Sequence, residues 1–308
     1  VLRHRTFSPR ERAGAAPNTQ DHGNPSEENP MTDTNDKTPV AASRRSDEMR
    51  QQVREDYRRV ALAADAGSAC GEAISCCGVS EEVQINTLVS LRLGYSEDDL
   101  STVPAGADMG LGCENPRAIA SLREGELVVD LGAGGGFDCF LAAREVGETG
   151  RVIGVDMTPD MVSKARRNAG QAGFDNVEFR LGEIEHLPVA DGIADVIISN
   201  CVINLSPDKP QVFRETYRVL RNGGRLAISD VVATAEMPPE MKADPRLHSG
   251  CMAGAVMIED LEAMLEATGF TRISIRPKDE SREFIRDWAP GRGVEDYVVS
   301  ATIEAFKP

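Results

Sequence analysis

The stretch LVVDLGAGGG, residues 127–136, decides the fold of this 308-residue chain. It begins with a short apolar run typical of buried strands in parallel sheets, which are rich in β-branched residues and bounded by Gly or Asp. A glycine-rich turn follows, where glycine lets a ligand approach the backbone closely and adopts φ values that side chains resist. The stretch therefore predicts a strand, a ligand-binding turn and then a helix.

The same alternation continues along the chain. Four more apolar runs are predicted strands: RVIGVDM, NVEFRLG, ADVIISN and GRLAISDVV. Apolar residues at helical spacing predict helices over 137–146, 159–172, 209–221 and 258–269, and two last strands are predicted near 270–276 and 296–305. This alternation predicts an α/β protein with a doubly wound, Rossmann-like sheet of seven strands and helices on both faces.

Composition divides the chain into four predicted regions. The first is rich in Pro, Asn, Thr, Ser and charge and lacks apolar periodicity, which is typical of disorder. The second opens with an amphipathic helix and continues into a cysteine-containing loop. The third is the ligand-binding core, and the fourth is an α+β portion that completes the sheet. The four regions are residues 1–46, 47–112, 113–234 and 235–308.

Charge and cysteine content narrow the partners. The chain has 34 Lys and Arg against 50 Asp and Glu, a formal net charge of −16, so its field repels phosphate backbones and no nucleic-acid partner is expected. No apolar run approaches the roughly 18–20 residues that a membrane-spanning helix needs, so no membrane partner is expected either. Seven cysteines without a signal-peptide apolar region indicate thiols kept reduced, and we expect a cytoplasmic monomer.

Two acidic residues distinguish between possible ligands of the turn. Asp130 stands at its head, where a pyrophosphate is repelled but the ammonium and sulfonium of S-adenosylmethionine are attracted. Asp156 ends the second strand, where a carboxylate can accept hydrogen bonds from both ribose hydroxyls. The glycine turn alone also suits a dinucleotide. Together with these carboxylates it predicts S-adenosylmethionine as cofactor, bound at Asp130, Gly132, Gly134 and Asp156.

The segment LGEIEHLP resembles the class I methyltransferase segment that wraps the adenine after the third strand. In it, Glu183 is the predicted acceptor from the adenine amino group. Ile184 and Met157 are predicted apolar walls of the site, although ordinary core packing accounts for them equally well. Asn200, which ends the fourth strand, is expected to face the methionine end of the cofactor.

The predicted fold brings several cysteines near this ligand. Ligands of an open α/β sheet bind beyond the C-terminal ends of the strands, near the point where strand order reverses. Cys201 directly follows the fourth strand, which neighbours the first, so its thiol is expected beside the transferable methyl group. Cys113 and Cys251 lie in glycine-containing loops that let the backbone carry a side chain into a crowded centre. Cys139, in a predicted helix, is interpreted as a small buried hydrophobe.

Four motifs carry a family resemblance: SNCVINLSPDK, GLGCENP, SGCMAGA and DLGAGGGFDCFLAA. With them the sequence resembles the arsenite methyltransferases over nearly all of the chain after its polar N-terminal region. The resemblance implies a class I methyltransferase fold and methyl transfer from S-adenosylmethionine to As(III) bound by Cys113, Cys201 and Cys251. As(III)–thiol complexes are the implied substrates, with methylarsenite and antimonite as further candidates. Glu114 departs from the family, which more often has Gly at that position.

The chemistry of As(III) agrees with three cysteine ligands. Three thiolates form a neutral pyramidal complex with this soft atom and leave its lone pair free to attack the methyl group, whereas zinc would require a fourth ligand. Methyl transfer leaves arsenic formally pentavalent, so a thiol reductant, glutathione or thioredoxin, is expected as co-substrate. Cys70, Cys76 and Cys77 are interpreted as a redox or capture cluster, with plain surface thiols as the alternative.

Two other functions compete with this hypothesis. A quinone or sterol C-methyltransferase would use the same cofactor motifs with an apolar substrate pocket, and the three cysteines argue against it. A metalloid- or zinc-binding sequestering protein would bind arsenite without consuming cofactor. The intact set of Asp130, Gly132, Gly134 and Asp156 argues against that second alternative.

Overall fold

The computed structural model describes residues 39–66 and 81–308. Seven strands lie in this part of the chain: β1 Leu127–Leu131, β2 Arg151–Asp156, β3 Val177–Leu181, β4 Ala194–Asn200, β5 Leu220–Ala233, β6 Thr271–Lys278 and β7 Val298–Phe306. Its helices are α1 Pro39–Ala66, α2 Glu81–Arg92, α3 Glu97–Thr102, α4 Arg117–Ala120, α5 Phe137–Val146, α6 Pro159–Ala172, α7 Lys209–Val219, α8 Pro239–Lys242, α9 Pro245–Ser249, α10 Ile258–Thr268 and α11 Arg282–Trp288.

All seven strands form one sheet in the order β3-β2-β1-β4-β5-β7-β6. Strands β1 to β5 pair in parallel, whereas β7 pairs antiparallel with both β5 and β6. The chain runs outward from β1 to β3 and returns to the other side of β1 with β4, so strand order reverses between β1 and β4. Such a reversal opens a ligand-binding crevice. The predicted seven-stranded α/β fold is confirmed.

Alternate side chains of each strand face opposite helix layers. On β1, Val128 packs in the cluster that includes residues of α5 and α6, and Val129 packs in the cluster that includes residues of α7 and α10. The edge strands β3 and β6 are partly exposed. Because both faces of the central strands are covered, these strands are apolar along most of their length. The exceptions include two buried aspartates, Asp130 in β1 and Asp230 in β5. A buried carboxylate is costly without partners, so these positions need a chemical explanation.

Helix α1 packs beside the crevice and forms hydrogen bonds with the segment after β2 and with the end of α9. Val53 of α1 is buried and lines the same cavity as the glycine-rich turn. Arg54 donates a hydrogen bond to the carbonyl of Met157, directly after β2, at 3.2 Å. The hydroxyl of Ser249, at the end of α9, donates to the carboxylate of Asp56 at 2.6 Å. The amphipathic helix predicted from the sequence therefore covers the ends of the strands.

The start of α1 differs from the prediction. The helix begins at Pro39, so residues 39–46 are helical in place of the predicted disorder. Proline fits the first turn of a helix and the alanines after it favour helix, which outweighs the polar composition. The predicted cluster of Cys70, Cys76 and Cys77 lies outside the described residues. Within those residues, no helix is both long enough and apolar enough to cross a membrane.

Gly154, in the middle of β2, lets the glycine-rich turn and β3 pack on that strand. A Cβ at this position would meet Ala133, Phe179 and Cys139 at 2.7, 2.7 and 2.8 Å. We therefore expect Gly154→Ala to lower the free energy of unfolding by about 1–3 kcal/mol. Gly170, exposed in α6, has open space around it, and Gly170→Ala is expected to raise that free energy by about 0.5–1 kcal/mol. Urea unfolding checks both signs, and destabilisation of both variants would contradict the packing argument.

Candidate active site

A cavity of about 360 Å³ opens at the carboxyl ends of β1 and β4. Cys201 and Cys251 line it, whereas Cys113 does not. Of the predicted cofactor residues, Glu183 is missing from its wall. The others all line it: Asp130, Gly132, Gly134, Asp156, Met157, Ile184 and Asn200. The fold thus brings most of the predicted cofactor site together with two of the three predicted arsenic ligands.

The glycine-rich turn is held against the end of β2 by Asp156. Its carboxylate accepts hydrogen bonds from the backbone N–H of Gly134 at 3.0 Å and of Thr158 at 2.8 Å. Gly132 and Gly134 have φ values of +71° and +51°, which glycine adopts without the strain that a side chain brings. A Cβ at residue 132 would also overlap Val202. The turn therefore presents bare backbone to a ligand.

Three carboxyl groups gather in the cavity, of which Asp130 and Asp138 are buried and Asp156 is half-buried. Asp130, Asp138 and Asp156 all line it. Burial raises the pKa of each of these carboxyls above its usual range, and the neighbouring Asp138 raises the pKa of Asp130 further. A cationic ligand supplies the missing counter-charge and favours the ionised forms. S-adenosylmethionine, which carries an ammonium and a sulfonium, fits this donor set.

Two neighbouring residues organise these carboxylates. The thiol of Cys139, which is fully buried, donates a hydrogen bond to Oδ2 of Asp130 at 3.1 Å. The hydroxyl of Tyr95, in the loop after α2, donates to Oδ1 of Asp138 at 2.7 Å. Sequence reasoning missed Tyr95 and Asp138, because the contact joins segments 43 positions apart. It placed Cys139 in the core but not at the carboxylate.

Asn200 connects the cavity to the loop that carries Cys113. Its side-chain oxygen accepts a hydrogen bond from the backbone N–H of Cys113 at 3.0 Å, and its Nδ2 donates to the carbonyl of Glu114 at 2.7 Å. Glycine is needed at residue 112, where a Cβ would lie 2.7 Å from the Asn200 amide. The side chain of Glu114 forms an ion pair with Lys278 of β6. The residue that departs from the family thus has a local partner that holds the loop.

The structure does not bring Glu183 to the cavity. Its carboxylate pairs with Arg54 of α1 at 3.0 Å, and 34% of its side chain is exposed. Glu185, which is buried, lines the cavity instead. It accepts hydrogen bonds from the hydroxyl of Ser206 at 2.7 Å and from Nε of Arg50 at 3.2 Å. Glu183 pairs with α1 and does not line the cavity, so Glu185 is the better placed of the two carboxylates to accept a hydrogen bond from a ligand.

The three predicted cysteines converge beside the cavity. Cys113 precedes α4, Cys201 follows β4 and Cys251 follows α9, and their buried side chains belong to one apolar cluster. Cys201 lies between the other two, and hydrogen bonds with Cys113 and then Cys251 raise the pKa of its thiol well above its usual value. Burial raises the pKa of Cys113. The thiol of Cys251 also donates to the carbonyl of Cys201 at 2.6 Å.

Cys201 and Cys251 both adopt left-handed backbone conformations. Their φ values are +59° and +64°, a region that costs a non-glycine residue about 1–2 kcal/mol. Backbone hydrogen bonds hold them there, from Cys201 to the carbonyl of Ser229 at 2.8 Å and from Cys251 to the carbonyl of His248 at 2.9 Å. Strain of this kind is concentrated at functional sites. Here it accompanies the two thiols that line the cavity.

Asp230 of β5 is a fourth buried group beside the thiols. One of its oxygens and the sulfurs of Cys201 and Cys251 all lie within 4.8 Å of one another. The carboxylate accepts hydrogen bonds from the backbone N–H of Ile203 and from the side-chain amide of Asn204, each at 2.9 Å. Burial raises the pKa of Asp230 to about 6. An aspartate inside an otherwise apolar strand run is the sequence signal that could have identified it.

Aromatic side chains border the apolar cluster that contains the thiols. Tyr57 of α1 and Trp288 of α11 pack against this cluster, and both line the cavity. The hydroxyl of Tyr57 donates a hydrogen bond to the carbonyl of Ser249 at 3.4 Å, and burial raises its pKa well above the usual value. The sequence places Tyr57 only on the apolar face of a helix. Its place at the thiols depends on where that helix packs.

The carboxylates predict that binding of S-adenosylmethionine depends on pH. The pKa values of Asp130, Asp138 and Asp156 are raised in the free protein, and a bound cation lowers them. Affinity is therefore full above the raised pKa values and falls as pH decreases through them. Isothermal titration calorimetry in two buffers that differ in ionisation enthalpy measures the number of protons released when S-adenosylmethionine binds.

A pair of variants provides the control for this measurement. Asp130→Asn is expected to reduce the proton release, whereas Asp191→Asn, whose side chain is 80% exposed, should leave it unchanged. An affinity that stays constant between neutral and acidic pH in the wild-type protein would contradict the role of the carboxylates.

Comparison with known proteins relates this site to a family. The family described as "Methyltransferase domain" matches residues 122–269. The arsenite methyltransferase of Halobacterium salinarum is 54% identical over 282 residues, which cover 90% of this chain and 71% of that protein. The arsenite methyltransferase of Mus musculus is 36% identical over 75% of this chain. The match spans 60% of the mouse protein's own length.

Solved structures agree with the sequence relatives. The arsenic(III) S-adenosylmethionine methyltransferase from Chlamydomonas reinhardtii is 34% identical with a TM-score of 0.55, covering 72% of this chain and 73% of that one. The cyclase SpnF has a TM-score of 0.58 at 19% identity over 84% of this chain and 97% of its own, which is a likeness of fold alone. Fold therefore does not decide the reaction, whereas extended identity identifies relatives. Because this chain is 54% identical to the Halobacterium salinarum enzyme over 90% of its own length, it belongs to the arsenite methyltransferase family.

Proposed function

We propose that this protein transfers the methyl group of S-adenosylmethionine to trivalent arsenic bound by Cys113, Cys201 and Cys251. The observation that carries the proposal is the convergence of three buried thiols beside a cavity lined by the glycine-rich turn and three carboxylates. A site suited to a soft, thiophilic atom thus adjoins a site suited to a cation. Methylated arsenicals are the proposed products, and arsenic detoxification is the proposed role.

Thiol exchange loads the arsenic without a general base. A cysteine that replaces a thiol or hydroxide ligand of As(III) passes its proton to the departing ligand, so no net proton is released. Protonated cysteines, which the raised pKa values of Cys113 and Cys201 favour, are therefore competent for the exchange. The product is a neutral complex, which suits the apolar cluster around the thiols.

Methyl transfer then requires alignment more than acid–base chemistry. S-adenosylmethionine supplies, when bound, a methyl group on a positively charged sulfur that departs as a neutral thioether. Asp130 attracts the cation, and Cys201 holds the arsenic at the adjoining strand end. The apolar cluster around the thiols, with Tyr57 and Trp288 packed against it, limits the access of water. Because arsenic carries no proton to remove, proximity, alignment and water exclusion account for catalysis.

The electron balance of the reaction calls for a reductant. The arsenic lone pair forms the carbon–arsenic bond, so arsenic becomes formally pentavalent and needs two electrons before it can accept another methyl group. We assign them to a thiol reductant, glutathione or thioredoxin, which is oxidised to a disulfide. Cys70, Cys76 and Cys77 are the proposed capture or relay thiols. This chemistry needs reduced thiols, from which we infer a cytoplasmic location, and we expect a monomer.

The proposal predicts methylated arsenicals when the protein is incubated with arsenite, a thiol reductant and labelled S-adenosylmethionine. Cys201→Ser should lower the rate by roughly 10²-fold or more, because a serine hydroxyl does not hold As(III) in place for attack. Retained binding of S-adenosylmethionine by this variant is the control for an intact fold. Arsenite binding without cofactor consumption would indicate a sequestering protein, and methylation of a quinone in place of arsenite would indicate a carbon methyltransferase.

Cys113 is predicted to be needed for the first methylation and dispensable for the second. Each added methyl group occupies one arsenic position, so methylarsenite needs only two thiolates, and Cys201 and Cys251 are the two that line the cavity. Cys113→Ser should therefore lose arsenite methylation by roughly 10²-fold and keep methylarsenite methylation within about threefold.

Initial rates with the two substrates check the prediction for Cys113. Cys251→Ser is the matched control, because it removes a ligand that both steps require and should abolish both rates. An equal loss of the two activities in Cys113→Ser would show that Cys113 serves both methylations.

A further inference from the structure

Two different residues lie near the Cys201 and Cys251 thiols and could add a third ligand to them. On one side, Cys113 is buried in the same apolar cluster as the pair. On the other, an oxygen of Asp230 lies within 4.8 Å of the sulfurs of both Cys201 and Cys251, in a group that does not include Cys113. The pair can therefore be completed into a three-ligand set with a third sulfur or with a carboxylate oxygen.

The spacing of the ligand atoms of Cys201, Cys251 and Asp230 is close to that around a tetrahedral divalent cation. Zinc binds sulfur at about 2.3 Å and carboxylate oxygen at about 2.0–2.2 Å, so tetrahedral ligand atoms lie roughly 3.5–4 Å apart. The ligand atoms of Cys201, Cys251 and Asp230 all lie within 4.8 Å of one another, which is near this tetrahedral spacing. A carboxylate is a regular ligand for cations of this class, whereas As(III) prefers sulfur.

The carboxylate of Asp230 is oriented by its neighbours and keeps a free lone pair. Oδ1 accepts hydrogen bonds from the amide of Asn204 and the backbone N–H of Val231, and Oδ2 accepts one from Ile203. An ionised carboxylate has about four lone-pair sites, so one on Oδ2 stays available. Such outer hydrogen bonds are the usual means of orienting a metal ligand.

The surroundings also balance the charge of a metal complex. Two thiolates and one carboxylate bring three negative charges to a divalent cation, and the two thiol protons leave to solvent. Burial lowers the pKa of Lys209, whereas negative charge on Asp230 and then on Cys251 raises it. The ionised ligands therefore favour the ammonium form of Lys209, which offsets the remaining negative charge. Cys201 and Cys251 line the cavity, from which water can complete the fourth position, as in zinc sites with three protein ligands.

We propose that Cys201, Cys251 and Asp230 bind a thiophilic divalent cation of the zinc and cadmium class. Binding of the cation is independent of the proposed methyl transfer, but its consequence rests on that function. The cation occupies two of the three arsenic ligands and therefore excludes As(III) and inhibits methylation. The third ligand separates the two occupants, because Cys113 completes the set for arsenic and Asp230 completes it for the cation.

Cobalt(II) is the probe for this site, because its tetrahedral thiolate complexes absorb visible and near-ultraviolet light. Titration of the reduced full chain is expected to give an absorption that Cys251→Ser removes. Asp230→Asn should weaken cobalt binding by on the order of 10²-fold while As(III) still binds. Cys113→Ser should do the reverse, keeping cobalt affinity within about threefold and losing the arsenic trithiolate. Equal cobalt affinity in the wild type and in Asp230→Asn would overturn the proposal.

X-ray absorption of the wild-type protein with one equivalent of Cd²⁺ tests the site without a variant, so the result does not depend on whether a variant folds. Two sulfurs with oxygen ligands around cadmium are expected, and three or more sulfurs, or none, would overturn the site. A protein that binds cadmium through two sulfurs and oxygen but does not methylate arsenite would contradict the proposed function alone. One that methylates arsenite and binds cadmium through three sulfurs would contradict this site alone.

Discussion

The parallel pairing of β1 with β4 is the constraint on which the site depends. It places Leu131 beside Ser199, so the glycine-rich turn after β1 and Cys201 after β4 leave the sheet at the same end. Strand order reverses at this pair, and the following loops diverge and leave a crevice between them. A methyl donor and acceptor must approach to about 3–3.5 Å. Here two rigid, hydrogen-bonded strands set that approach.

The crevice and the thiol cluster beside it contain ionisable groups that a folded core tolerates poorly. Burial raises the pKa values of Asp130, Asp138, Asp156 and the thiol of Cys113, so their ionised forms are disfavoured in the free protein. Hydrogen bonds from neutral neighbours such as Tyr95 satisfy part of this demand. In the proposed function, a cation beside the carboxylates and a neutral arsenic complex on the thiols satisfy the rest. Ligand binding and fold stability are therefore coupled, since ligands that bind only the folded form stabilise it.

Local sequence pattern predicts this fold well because the central strands are apolar, short and buried, with Gly or Asp at or near their ends. Asp156 ends β2 and Cys201 follows β4, both as predicted. What local pattern does not contain is the packing between distant segments. Glu183 and Glu185 are separated by one residue in a turn, and the arginines of α1 decide which faces the cavity. Asp230 lies in β5 and Cys251 follows α9, and local pattern does not show that their ligand atoms lie within 4.8 Å of each other.

The strained backbone at Cys201 and Cys251 explains how the site can serve a soft ligand with directional chemistry. A left-handed conformation costs each cysteine about 1–2 kcal/mol, a sizeable part of the 5–15 kcal/mol that stabilises a typical domain. Glycine would adopt this left-handed conformation more easily, so cysteine at both positions indicates a role for the thiol itself. Asp230 accepts a hydrogen bond from Asn204, and Gly254 packs closely against the Asn204 backbone, so the segments that follow Cys201 and Cys251 are held together. Under the proposed function, the thiols are therefore positioned before arsenic binds. Arsenic–sulfur bonding needs no such preparation, but a lone pair that must point at a methyl group does.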